Sequence, residues 1–316
     1  MKPKKLTRDA FGAARDFLMR SSRPLEYARF RCAFERAAPH EAIEELLAFR
    51  CDDGGFGYAL EPDLRTPESS ALAVAGALQI VREISDVSRT PSSDLLPEPT
   101  RADLLSWLER TFDVSTETWA IIPPFDAGIP HAPWWNPDGV AERFDFYVLN
   151  PTAELAGFYT DLAPADWVSQ LFVTIRDRLA ERDEIDMHEL LSVKRLAETG
   201  SMPEALRLEL IAEIRRLLPG CVVTDPDRWG EYCLRPVDVA DSSDSPFLAD
   251  IGSQVVAANL DRVIDEQSGD GSWQPVWSWD DAFPDEWATA RQEWAGVLTL
   301  SRLRLLSQFG RVDPGL

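Results

Sequence analysis

Runs of alternating polar and apolar residues are almost absent from this chain, which argues against a sandwich or barrel of strands and leaves helical periodicity as its organising pattern. No apolar run approaches the roughly 20 residues that a bilayer-spanning helix needs, so no integral membrane segment is expected. Leu6 to Arg20 is amphipathic and dotted with charge, unlike the core of a signal peptide, and a cytoplasmic location is expected. Basic side chains are scarce as well. The 32 Lys and Arg stand against 54 Asp and Glu, a formal net charge of −22, which repels phosphate backbones and anionic membrane surfaces. Nucleic acid is therefore not an expected partner. Cysteine is limited to Cys32, Cys51, Cys221 and Cys233, with neither C-x-x-C spacing nor a histidine close by. Reduced, mostly buried thiols are expected, with no metal site and no other cofactor.

What the chain does have is length and apolar content. Its 316 residues are 45% hydrophobic and 27% charged, enough to bury a substantial core. Helical spacing predicts helices over about 7–21, 24–37, 39–50, 67–85, 100–111, 151–161, 164–182, 185–198, 203–218, 246–266 and 286–309. Start signals precede several of them: Thr7, Pro39, Thr66-Pro67-Glu68, Pro151-Thr152 and Ser201-Met202-Pro203-Glu204. The polar, turn-rich stretch Ser85–Pro99 is expected to be a surface loop. No interdomain linker stands out, and a single domain over 1–316 is expected.

One short pattern occurs twice. Arg50-Cys51-Asp52-Asp53-Gly54-Gly55-Phe56 and Gln267-Ser268-Gly269-Asp270-Gly271-Ser272-Trp273 both read as a helix end, an acidic-glycine turn and a buried aromatic. Looser versions run from Trp119 to Pro124 and from Trp229 to Pro236. Helix, aromatic turn, extended loop, helix is the unit of a closed ring of helical hairpins, and repetition at this scale indicates a fold assembled from like pieces.

Gln267-x-x-x-Gly271-x-Trp273 resembles the QW repeat of squalene and oxidosqualene cyclases, whose toroid is shared with protein prenyltransferase β-subunits. The resemblance implies an all-α toroid of the (α/α)6 type, about eleven to twelve helices around a central cavity. It also implies that the glutamine bonds an adjoining helix end while the tryptophan packs against it. Triterpene and class II diterpene cyclases start their reaction with D-x-D-D, whose middle acid protonates an alkene or epoxide. That motif is missing. Degenerate versions follow each turn: Glu61-Pro62-Asp63-Leu64 and Ser278-Trp279-Asp280-Asp281. Carried over, Asp63 or Asp280 is the acid, with Glu61 the neighbouring anion that holds a proton on it. The zinc ligands of a prenyltransferase (Asp, Cys and His) find only Asp238, Cys233 and His131 or His188, none in the family's motif, and D-D-x-x-D is also missing.

Two further constellations bear on chemistry. Arg65, beside Asp63, is a candidate substrate-binding group or a partner for that acid. The loop from Ile122 to Asn136 carries four prolines together with His131, Trp134, Trp135 and Asn136, and stiffening a connection in this way fixes a binding surface or a packed lid. His131 is a candidate catalytic group; Trp134, Trp135 and Asn136 are candidate substrate contacts, as are Trp277 and Trp279, which alternate with Ser278. Aromatic faces stabilise a cation by about 0.5–2 kcal/mol per ring. The first expectation is a terpenoid-cyclase-like enzyme acting by protonation on a small apolar or isoprenoid substrate. The second is a carbohydrate-active enzyme binding an oligosaccharide with paired carboxylates, Asp63 with Asp280 or Glu154. The third is a helical binding module without catalysis.

Overall fold

The computed structural model describes residues 3–144 and 147–312. The chain is all-α: its helices are α1 (Arg8–Ser21), α2 (Pro24–Glu35), α3 (Pro39–Leu47), α4 (Ala71–Ser88), α5 (Ser92–Leu95), α6 (Glu98–Thr111), α7 (Val140–Phe144), α8 (Thr152–Leu162), α9 (Asp166–Ala180), α10 (Met187–Ala197), α11 (Glu204–Cys221), α12 (Pro236–Val239), α13 (Leu248–Ile251), α14 (Ser253–Asp265) and α15 (Pro284–Gln308). Among the described residues, the paired strands are confined to a two-stranded antiparallel ribbon, β1 (Phe112–Asp113) with β2 (Thr118–Trp119).

Local chemistry explains most boundaries. The Thr7 hydroxyl accepts from the Ala10 amide to open α1, and Pro24 and Pro39 sit in the first turns of α2 and α3, where no amide proton is needed. Two sequence expectations are corrected here. Helix α4 begins at Ala71 rather than 67, because the Ser70 hydroxyl accepts from the Ala73 amide at 3.0 Å, whereas Thr66 folds back on Glu68 in a local turn. The stretch Ser85–Pro99 is only partly loop. Buried Ile84 carries α4 on to Ser88, Arg89 ends it in a left-handed conformation (φ 61°), and Ser92–Leu95 forms α5.

The chain divides into two compact units: one built from the chain up to Ala37 together with the chain from Leu218 on, the other from Ala38–Leu217. In the first unit, α1, α2, α14 and α15 enclose Phe11, Leu18, Phe30, Leu260, Trp273 and Leu303. Its two ends are tied together. Leu6 bridges Val312, its amide donates to the Arg311 carbonyl at 2.7 Å, and the Arg311 guanidinium binds the Asp261 carboxylate at 2.6 Å.

In the second unit α8 is buried continuously from Thr152 to Tyr159, and α10 is its main packing partner. Such a helix has no solvated face, so its polar groups need internal partners. Glu154 receives the Gln79 amide at 2.7 Å and the Arg195 guanidinium at 3.3 Å. Arg82 links α4 to Asp161 at 2.6 Å and to the Arg195 carbonyl at 2.7 Å, and stacks 4.2 Å from the Phe158 ring.

Candidate functional site

The two acidic-glycine turns share three hydrogen bonds. The Cys51 amide donates to the Gly55 carbonyl at 2.9 Å and that of Ser268 to the Ser272 carbonyl at 2.8 Å; the Gly54 amide reaches the Cys51 carbonyl and that of Gly271 the Ser268 carbonyl. In each turn an aspartate, Asp53 or Asp270, accepts from the amide two residues on at 3.0 Å. Gly54 and Gly271 take φ of 97° and 91°, and each lies on the backbone of a helix: Gly54 on Asp103 of α6, Gly271 on Ala13 of α1. Glycine is required there twice over, by conformation and by contact. Gln267 donates to the Ala10 carbonyl in the first turn of α1 at 2.8 Å and to the Gly271 carbonyl at 2.9 Å. The indole of Trp273 donates to the Val263 carbonyl at 2.7 Å, closing an otherwise open carbonyl at the end of α14. Trp119 serves the Leu108 carbonyl of α6 in the same way, and Trp229 that of Val223.

The two loops singled out in the second unit meet. Leu64 forms an antiparallel bridge with His131, the Ala132 amide donates to the Asp63 carbonyl at 2.8 Å, and the Arg65 amide to the Pro130 carbonyl at 3.1 Å. Asp63 is 3% exposed and His131 is 6% exposed. The His131 Nδ1 lies 2.6 Å from the Ile129 carbonyl, so it carries the proton and leaves Nε2 as the ring's acceptor while the ring is neutral. Phe125 packs edge-on to the imidazole at 5.2 Å. Around this pair, Glu61 and Arg65 are partly exposed, and the Arg65 guanidinium reaches the Pro62 carbonyl. Trp134 is exposed, while Trp135 is buried and stacks on Phe144 at 5.4 Å, its indole N–H without a partner among the described residues. Asn136 is exposed and accepts from the Asp138 amide.

The remaining candidates lie in the first unit. Asp280 is exposed and accepts from the Ser278 hydroxyl at 2.7 Å. Trp277 meets Tyr232 and Trp294 edge-on at 5.5 and 5.1 Å. Trp279 is buried against Trp287.

A second set of titratable groups gathers at the start of α10. Asp186 accepts from both the backbone amide and the Nδ1 of His188, at 2.8 and 2.9 Å. Burial opposes its charge, yet His188 and the Tyr147 hydroxyl hold the Asp186 carboxyl below its ordinary pKa. Burial pushes the neighbouring Glu189 carboxyl up. Elsewhere, burial and the Glu109 carboxylate raise the Tyr159 hydroxyl to about 12.

Sequence reasoning missed Tyr58. It and Ala59 are consecutive non-glycine residues with positive φ, 51° and 60°, a conformation with no local signature in a tyrosine. No family model, curated protein or solved structure matches this chain.

Proposed function

We propose that the chain is an acid–base enzyme of the terpenoid-cyclase type on a closed α/α toroid, with Asp63 as proton donor to an apolar, isoprenoid-like substrate and His131 as its partner. The reading is carried by one observation: two loops nearly seventy residues apart are paired backbone to backbone, and Asp63 of one and His131 of the other are both buried. A carboxyl serves as an acid only if it holds its proton, and removal from water favours that form. Asp63 transfers its proton to an alkene carbon, the two electrons of the double bond form the new C–H bond, and the cation left behind is shielded by the Phe125 ring, which packs on His131. A proton lost from the cyclised cation returns to the Asp63 carboxylate, with Nε2 of His131 the alternative acceptor. No metal takes part in this scheme. The carbohydrate reading has less support, because Glu154, one of its proposed partners for Asp63, is already bound by Gln79 and Arg195.

Incubation of the purified full chain with linear polyprenyl alcohols, diphosphates and epoxides, followed by mass spectrometric product analysis, tests the proposal. Asp63→Asn is expected to lower turnover by about 100-fold or more, and His131→Gln by a smaller factor, within the range general acid–base groups contribute. Undiminished turnover in Asp63→Asn removes that residue as the acid; turnover of oligosaccharides but not isoprenoids moves the protein to the second class.

A further inference from the structure

A cavity of about 720 Å³ opens to solvent in the second unit, over the first acidic-glycine turn, and the Asp63–His131 pair is not among its lining residues. Its walls include the carboxylates of Asp52, Asp53 and Glu68 and the rings of Tyr58, Trp107 and Trp119, with no lysine, arginine or histidine among the lining residues. The charge of Asp53 is hydrogen-bonded but not neutralised: its carboxylate accepts from the Gly55 amide at 3.0 Å, the Ser69 hydroxyl at 2.5 Å and the Trp107 indole at 3.0 Å, all uncharged donors. The nearby Arg110 guanidinium is directed to the Asp53 carbonyl and the Ser106 hydroxyl instead. Asp52 and Glu68 are both exposed. The thiol of Cys51 reports the same field, raised first by burial and further by Asp53, Asp52 and Glu68 against a hydrogen bond with Ser69.

Among the described residues no three acidic, cysteine or histidine side chains are placed to hold a metal ion. An organic cation needs no such close ring of ligands and is held by aromatic faces as well as by carboxylates. Tyr58 supplies the matching surface. It is 50% exposed although its backbone is in the left-handed region, and that conformation is held by bonds from its amide to the Thr66 carbonyl and from the Leu60 amide to the Gly57 carbonyl, both at 3.0 Å. A tyrosine kept in a disfavoured conformation with half its surface in solvent is not explained by packing. The other hydrogen-bonding side chains on the wall are the hydroxyls of Ser69, Ser70 and Thr111, so the cavity is rich in acceptors and has no cationic or amide donor. That balance suits a ligand that brings its own positive charge.

We propose that this cavity binds an organic ammonium ion, with the charged head among Asp52, Asp53 and Glu68 and its alkyl groups against the ring of Tyr58. The site is separate from the proposed acid at Asp63, and either assignment stands without the other.

Calorimetric titration of the full chain in buffered salt, with choline, with 1,4-diaminobutane and with 3,3-dimethyl-1-butanol as the uncharged shape match of choline, tests the assignment. Saturable binding of an ammonium ligand is expected, with the uncharged analogue at least about tenfold weaker. Tyr58→Asn removes the ring while keeping a residue that tolerates left-handed backbone, and is expected to weaken binding about 3- to 30-fold. The double variant Asp52→Asn, Glu68→Gln is expected to weaken it further, and Asp63→Asn to leave it unchanged. Thermal melting near that of the parent chain shows that the variants fold. The proposal is overturned if neither ammonium ligand saturates, if the uncharged analogue binds equally well, or if both the Tyr58 and the double variant bind as the parent does.

Discussion

Gly271 shows how much one position can carry. Its φ of 91° is costly for any other residue, and a Cβ there would overlap the Ala13 carbonyl of α1. Gly76, inside α4, has no described atom beyond its own helix backbone and chain neighbours within 4 Å of where a Cβ would stand. The two glycines therefore respond to alanine with opposite sign. Gly271→Ala is expected to cost more than about 2 kcal/mol, from backbone strain and overlap together, whereas Gly76→Ala is expected to stabilise by about 0.5–1 kcal/mol through lower entropy of the unfolded chain and better helix propensity. Urea melts of the two variants check this, and equal effects would show that the turn does not hold α1. The turns were legible in the sequence because Asp, Gly and the aromatic each act within a few residues. Tyr58 was not, since what holds it left-handed lies at Thr66 and Gly57 and in the fold of the whole loop.

At the scale of elements, a recurring device is an indole that closes the end of a preceding helix or the chain just beyond it: Trp119 to Leu108, Trp229 to Val223, Trp273 to Val263. The sequence exposed this as a tryptophan following each helix, and the looser matches proved to share the bond even without the spacing. Helix starts were less legible. Thr66 and Ser70 are both credible caps, and only tertiary contact decides between them. The start of α10 yields a pH prediction. The Asp186 carboxyl is held below its ordinary value, so its contribution to stability is present above about pH 4 and is lost as the pH falls through the folded-state value. Glu189 has the opposite sign: its raised carboxyl disfavours the folded state once ionised, so its contribution is lost as the pH rises. Asp186→Asn is expected to destabilise at pH 7 and progressively less toward pH 3. Glu189→Gln, which keeps an oxygen for the Leu149 amide, is expected to be neutral or stabilising at pH 7 and to lose that advantage in acid. Denaturation midpoints across pH 3–8 decide; parallel curves for parent and variants would refute both assignments.

Across the whole molecule the dominant quantity is charge. With a net −22, like charges repel over distances that salt screens, the Debye length falling from about 30 Å at 0.01 M to about 8 Å at 0.15 M. Melting temperature is expected to rise over that range, and a flat or falling response would mean that local ion pairs such as Arg311–Asp261 outweigh the collective repulsion. The all-α class and most helices could be read from periodicity, and both candidate loops from their composition. Their meeting, Leu64 against His131, is a long-range pairing that no local pattern encodes. The division of the chain left no linker because one boundary falls within α11, whose apolar spacing continues through Leu217 and Leu218.

The knot between Leu6 and Val312 also sets a timetable for biosynthesis. Helices α1 and α2 leave the ribosome before α14 and α15, which share their core and follow some two hundred residues later. At about 5–20 residues per second the wait lasts roughly ten to fifty seconds. During that interval Phe11, Leu18 and Phe30 lack the α14 and α15 side chains that complete their core.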